Sequence, residues 1–248
     1  MAEQNKKQKE NQGGQEQDLN QLLKVRREKL AALQESGNDP FQITKYDVTH
    51  HSDEVRAQYD ALEFIPPVDE DGKNAVVPMD EIPAEKLVSI AGRMMFKRVM
   101  GKASFAHIRD RQGDIQIYVT RNDIGDEAYA SFKKLDVGDI LGIKGFVFKT
   151  RTGEISVHAK EVTLLSKSLQ ILPEKFHGLV DTDLKYRQRY VDLIVNDDAR
   201  RIAFTRPKII RAIQHYMDSK GLVTPDDFRG WNAPIVPLAR MDTYCWNA

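Results

Sequence analysis

Three consecutive stretches decide the fold: Leu87-Val-Ser-Ile-Ala-Gly-Arg-Met-Met-Phe-Lys-Arg-Val99, Ala103-Ser-Phe-Ala-His-Ile-Arg-Asp110 and Asp114-Ile-Gln-Ile-Tyr-Val-Thr120. The last two are apolar at alternate positions, the mark of strands with one buried face. Ile115, Ile117 and Val119 share one side, and so do Ala106 and Ile108. A short helical piece is expected from Gly125 to Lys134. Two further strands follow, Asp139-Ile-Leu-Gly-Ile-Lys-Gly-Phe-Val-Phe-Lys149 and Glu154-Ile-Ser-Val-His-Ala-Lys-Glu-Val-Thr-Leu-Leu165, the second with Ile155, Val157 and Ala159 in phase. Residues 87–166 are therefore expected to close into a small barrel with one side open to a ligand.

The opposite face carries Phe105, His107 and Arg109, then Gln116 and Tyr118, then Glu154, Ser156 and His158. Phe105 is out of phase with the core of its own strand. An outward phenyl ring beside an amide, a carboxylate and basic groups suits a stacked nucleobase with readers around its edge. Alternation equally allows a ring that covers a loop, with solvated polar neighbours.

The 248 residues balance 37 Lys+Arg against 37 Asp+Glu, so any contact with nucleic acid must be local rather than carried by net charge. The single cysteine, Cys245, excludes an internal disulfide and a cysteine-rich metal site. No apolar run reaches membrane-spanning length, and the start lacks a leader's apolar core, so a cytoplasmic protein is expected, with no membrane partner.

Residues 1–17 read as a solvated, disordered tail. Asp18 can cap a helix carrying Leu19, Leu22, Leu23, Leu30 and Leu33, which Gly37 and Pro40 end. Its Lys24, Arg26, Arg27 and Lys29 could touch RNA phosphates, or simply make a charged surface. A second helix fits Asp53 to Glu63, and residues 64–83 read as a proline-rich loop. Lys97, Arg98, Lys102, Lys149 and Arg151 could form a phosphate-facing rim. A linker spans 167–180. An amphipathic helix is expected over Asp181 to Asn196. Another runs to Lys220 from about Asp198 or from Thr205; a cap at Thr205 would put Pro207 in its first turn.

Several separated motifs, in order, resemble the N-terminal half of the class II lysyl-tRNA synthetases. They are Ala91-Gly-Arg-Met-Met, Gly101-Lys-Ala-Ser-Phe, Gln116-Ile-Tyr, Gly138-Asp-Ile-Leu-Gly, Lys149-Thr-Arg-Thr-Gly-Glu, Leu172-Pro-Glu-Lys-Phe-His-Gly-Leu and Tyr186-Arg-Gln-Arg-Tyr-Val-Asp-Leu-Ile. The resemblance implies an α+β chain. An N-terminal helical region over 18–86 precedes an anticodon-binding OB-fold over 87–166. The start of a catalytic domain, with the dimer-forming motif 1 helix, covers 181–221. It further implies that Phe105 stacks on the middle anticodon base, a uridine for lysine, while Gln116 and Glu154 read its edge and Arg93 and Arg98 lie nearby. The implied partners are lysine-accepting tRNA and a second copy of the chain, not DNA; the implied cofactors are ATP and magnesium.

The ATP-binding motifs 2 and 3 are not found, so no catalytic residue is assigned, and the chain by itself is expected to be inactive as a ligase. Residues 222–248 diverge from the family pattern, as a frameshifted or shortened reading would. The readings that compete are a non-catalytic RNA-binding module, an aspartyl or asparaginyl relative, and a dimerising structural fragment whose barrel binds nothing. The Phe176-His-Gly-Leu and Tyr186-Arg-Gln-Arg-Tyr stretches favour the lysyl type.

Overall fold

The computed structural model describes residues 20–67, 76–173 and 181–221. The tail over 1–17, the Asp18 cap, the Phe176-His-Gly-Leu stretch and residues 222–248 lie outside them. Two compact units divide near Ile171.

The first unit opens with a helix over residues 20–35, α1. Two short helices follow, Ser52–Ala57 (α2) and Tyr59–Leu62 (α3). The single helix expected over 53–63 is broken at Gln58, whose ψ of 19° leaves the helical region. Five strands then close a barrel: Leu87–Met100 (β1), Ala103–Arg109 (β2), Asp114–Thr120 (β3), Ile140–Lys149 (β4) and Ile155–Ser166 (β5), in the order β1-β2-β3-β5-β4. Closure uses one parallel pairing, β3 with β5, and leaves no free edge.

The barrel interior holds the residues that alternation placed there, with Ile155, at the start of β5, only partly buried against it. Ala106, Ile108, Ile115, Ile117, Val119, Val157 and Ala159 are all essentially inaccessible, joined by Ile90, Met94, Leu141, Ile143 and Val147. Between β3 and β4 lie Arg121–Ile124 (α4), which the sequence reading missed, and Asp126–Lys134 (α5). Thr120 caps α4, and Gly125, at φ +83°, separates the two helices with a conformation that a side chain would strain. Tyr129 and Phe132 of α5 plug one end of the barrel, the Tyr129 hydroxyl lying 2.8 Å from Ser104 Oγ.

Where α1 meets the barrel, charge is buried with its partners. Lys167, its side chain 1% exposed, donates to Asp136 (2.5 Å) and Asp139 (2.7 Å). The Asp139 carboxylate also accepts the backbone N–H groups of Asp136 and Ser168, which offsets the cost of burying it.

The second unit contains Thr182–Arg187 (α6), Arg189–Val195 (α7) and Asp197–Ser219 (α8). The helix expected over 181–196 breaks at Gln188. Asn196 caps α8 by accepting from the N–H groups of Asp198 and Ala199. Thr205 is therefore not a cap, and Pro207 lies inside the helix, where it has no N–H for the carbonyl one turn back.

Candidate nucleic-acid interface

The outward face of β1, β2, β3 and β5 is a grid whose rows follow from strand register. Arg98 pairs with Phe105, Phe105 with Tyr118, Tyr118 with His158, and His158 with Phe146. One step along, the row runs Phe96, His107, Gln116, Ser156 and Phe148. A third row begins Arg93, Arg109, Asp114.

Phe105 is half-buried on this face, its ring 4.9 Å from that of Tyr118 and tilted 40° to it. Tyr118 in turn lies 5.0 Å from the His158 ring. Burial, reinforced by the Asp123 charge, pushes the Tyr118 phenol up, so the ring is a neutral stacking surface at physiological pH. Gln116 sits on the adjacent strand, diagonal to Phe105. Ser156 Oγ donates to Gln116 Oε1 at 3.1 Å, which fixes the amide and leaves its NH2 to offer donors. Ser156 is thereby fully buried, although it stands on the outward row. Glu154 is exposed just before β5, two residues from Ser156, in a turn closed between the Thr150 N–H and the Glu154 carbonyl (2.9 Å).

The two arginines differ. Arg98 is exposed directly opposite Phe105. Arg93 is in the far row, and its Nη1 donates to the Gly138 carbonyl at 2.6 Å, tying β1 to the turn before β4. Burial lowers its pKa, against which Asp139 acts.

Other cations expected at phosphates are spent on the fold. Lys97 shares the inward register of Ala106 and donates to the carbonyls of Lys133 and Leu135, so it is not part of a rim. Arg26 of α1 donates to the carbonyls of Ser168 (3.0 Å), Gln170 (2.7 Å) and Val137 (3.1 Å). Lys29 donates to Lys134 and Asp136. Of the helix's cations, Lys24 and Arg27 stay exposed.

Sequence reading named His158 but not what holds it. Its Nε2 lies 2.7 Å from Asp123 Oδ2, and Asp123 also takes Lys160 Nζ and the Thr120 hydroxyl. Burial pushes the Asp123 carboxyl up, but these hydrogen bonds outweigh it and hold it well below the usual carboxylate range. Asp123 is on α4, which no strand periodicity reveals.

Residues 88–165 match the family model of an OB-fold nucleic acid binding domain, the span of the barrel itself. A lysine–tRNA ligase of Pelotomaculum thermopropionicum is 50% identical over 210 residues, covering 85% of this chain and 37% of that one. The ligase of Clostridium novyi is 47% identical over 225 residues (90% and 39%). That of Clostridium tetani is 46% identical over 208 residues (84% and 37%). The chain is homologous to lysine–tRNA ligases. It spans less than two-fifths of the length of these relatives.

No helix among the described residues is long and apolar enough to cross a membrane. Among them, too, no three His, Cys, Asp or Glu side chains converge as ligands of a metal ion would.

Proposed function

We propose that the outward barrel face reads the anticodon of lysine-accepting tRNA, as the recognition part of lysine–tRNA ligation in the cytoplasm. The observation that carries this is the placement of Phe105 and Gln116 on one face of adjacent strands, with the Gln116 amide fixed by Ser156. The Phe105 ring stacks on the middle base, a uracil. Uracil offers one N–H between two carbonyls. The Gln116 NH2 donates to a carbonyl, and the Glu154 carboxylate, reaching from the β4–β5 turn, accepts from the N–H. Arg98, across from the ring, meets a phosphate. Arg93, in the far row with its Nη1 donated to the Gly138 carbonyl, is proposed to lie near the anticodon without an assigned contact.

The test is binding to an RNA stem-loop with a UUU anticodon, compared with one whose middle base is cytosine. Phe105→Ala is expected to weaken binding to the UUU loop by about 1–3 kcal/mol, the usual worth of one base stack. Equal affinity of parent and variant would remove Phe105 from the site.

Helix α8 carries Ile202, Ile209, Ile213 and Tyr216, each more than half exposed. Supported by the homology, we assign this apolar surface to a homodimer contact. In the whole ligase, lysine and ATP would be joined with the help of magnesium, by groups beyond those described.

A further inference from the structure

We infer that α1 is a splint that fixes the direction in which the chain leaves the barrel, with Arg26 as its positioning residue. Of the helix's cations, Lys24 and Arg27 face solvent, while Arg26 and Lys29 reach toward the barrel. It is the second pair that gives the helix this role.

After β5 ends at Ser166, residues 167–170 belong to no helix or strand. No ladder of backbone bonds holds them, so side chains must. Arg26 Nη1 donates to the Ser168 carbonyl at 3.0 Å and to the Gln170 carbonyl at 2.7 Å. Its Nη2 donates to the Val137 carbonyl at 3.1 Å. One guanidinium thereby joins α1, the turn before β4 and the exit chain. A rigid fork with several donors suits this, where an ammonium is a single point of charge. From the other side, Asp139 Oδ1 accepts the Ser168 N–H at 2.8 Å, so Ser168 is gripped at both its N–H and its carbonyl. Lys167, next to it, is held by Asp136 and Asp139. The Ser168 hydroxyl donates to the Gln170 carbonyl at 2.9 Å and completes the grip. The first compact unit ends at Ile171, directly after the last carbonyl that Arg26 takes.

The grip is referenced to β1. Gly138 N–H donates to the Met94 carbonyl and Met94 N–H to the Asp139 carbonyl, each at 2.8 Å. Arg93 Nη1 adds its bond to the Gly138 carbonyl. The turn that supplies Asp136, Val137 and Asp139 to the exit chain is therefore pinned to the strand that bears Arg93 and Arg98. Lys29 fastens α1 to the same turn through the Lys134 carbonyl and Asp136. Residues 167–170, loose, would add reach and a spread of directions to whatever follows them. Clamped, they are part of the barrel body.

Hydrogen exchange of the Ser168 amide, measured by NMR in the full chain with the amides of β3 as reference, tests this. Arg26→Ala should speed exchange at Ser168 roughly tenfold or more, and leave the β3 amides and the affinity for the UUU stem-loop as in the parent. Lys29→Ala cuts α1 from the turn but keeps the fork, and should speed Ser168 far less. A parental Ser168 rate in Arg26→Ala would overturn the inference. So would an equal rise in Lys29→Ala, since any loosening of the helix would then suffice. Weaker UUU binding by Arg26→Ala with an unchanged Ser168 rate would return Arg26 to the RNA and likewise overturn it. Should Arg26→Ala fail to fold, Arg26→Gln takes its place: its amide reaches fewer carbonyls, so Ser168 should exchange faster than in the parent, and no increase would refute the splint.

Discussion

Phe105 was legible because a strand shows its two faces in turn, and one aromatic ring in the wrong phase is conspicuous. The arginines were not. Counting by twos along β1 puts Arg93 and Arg98 on opposite faces. The register slips between Met94 and Phe96, a bulge that absorbs Met95, and both arginines end up outward. The same slip turns Lys97 inward. Nothing in the residue types of Arg93-Met-Met-Phe-Lys-Arg98 announces it. At this scale Glu154 gives a direct prediction. Glu154→Ala should reduce the preference for the UUU loop over the UCU loop by about 1.5–3 kcal/mol, the worth of a hydrogen bond to a charged group, in competition binding. An unchanged preference would take Glu154 out of the reading set. Asp123 gives another. Its folded pKa is held below the 3.8 of a free side chain, so its ionised form stabilises the fold. That contribution is complete above about pH 4 and is lost as pH falls through the folded value. Asp123→Asn should lower the melting temperature at pH 7, because Lys160, its side chain 5% exposed, then lacks its carboxylate partner. Between pH 4 and 2 the variant should lose less further stability than the parent. Parallel curves of melting temperature against pH would contradict this.

Among the elements, strands were read to within a residue or two and helices less well. The period-two pattern in β2, β3 and β5 is set by burial on one side, which any chain must obey to close a barrel. Helix breaks at Gln58 and Gln188 follow from local backbone angles that amphipathic spacing does not encode. The α1 helix was read as charged but not as anchored, since carbonyl partners of Arg26 and Lys29 come from over 100 positions away. Two stability predictions belong here. Lys167→Met leaves Asp139, fully buried, without its cation, and should lower the melting temperature of the first unit by roughly 10 °C. Gly145 permits the close approach of β4 to β5, where an added Cβ would lie 1.9 Å from the His158 carbonyl oxygen. Gly145→Ala must push β5 away, and calorimetry should show a loss of more than about 2 kcal/mol. Because His158 moves with that strand, RNA binding should fall as well.

For the whole molecule, near-neutral charge conceals a local division of labour. Arg26, Lys29 and Lys97 hold the fold, while Arg98, Lys149 and Arg151 are left near the rings. Composition could not separate these roles, since the same residue types serve both. The order of the elements was legible, from helix through barrel to a helical second unit. The exposed apolar side of α8 predicts concentration-dependent association. Sedimentation velocity should show a dimer that Ile209→Glu with Ile213→Glu abolishes, and an unaltered monomer at all concentrations would refute the homodimer assignment.

The parallel seam between β3 and β5 has a consequence in time. It brings together Gln116 and Ser156, 40 positions apart in sequence. Such a long-range pairing, like the β1–β4 seam that joins Leu87 to Phe146, is entropically slow compared with the hairpin of β1 and β2. Until it closes, Tyr118 has no His158 beside it and the Gln116 amide is unanchored. A chain with this seam still open would thus lack the proposed RNA-reading face, making ligand capture a stopwatch for the closing of the seam.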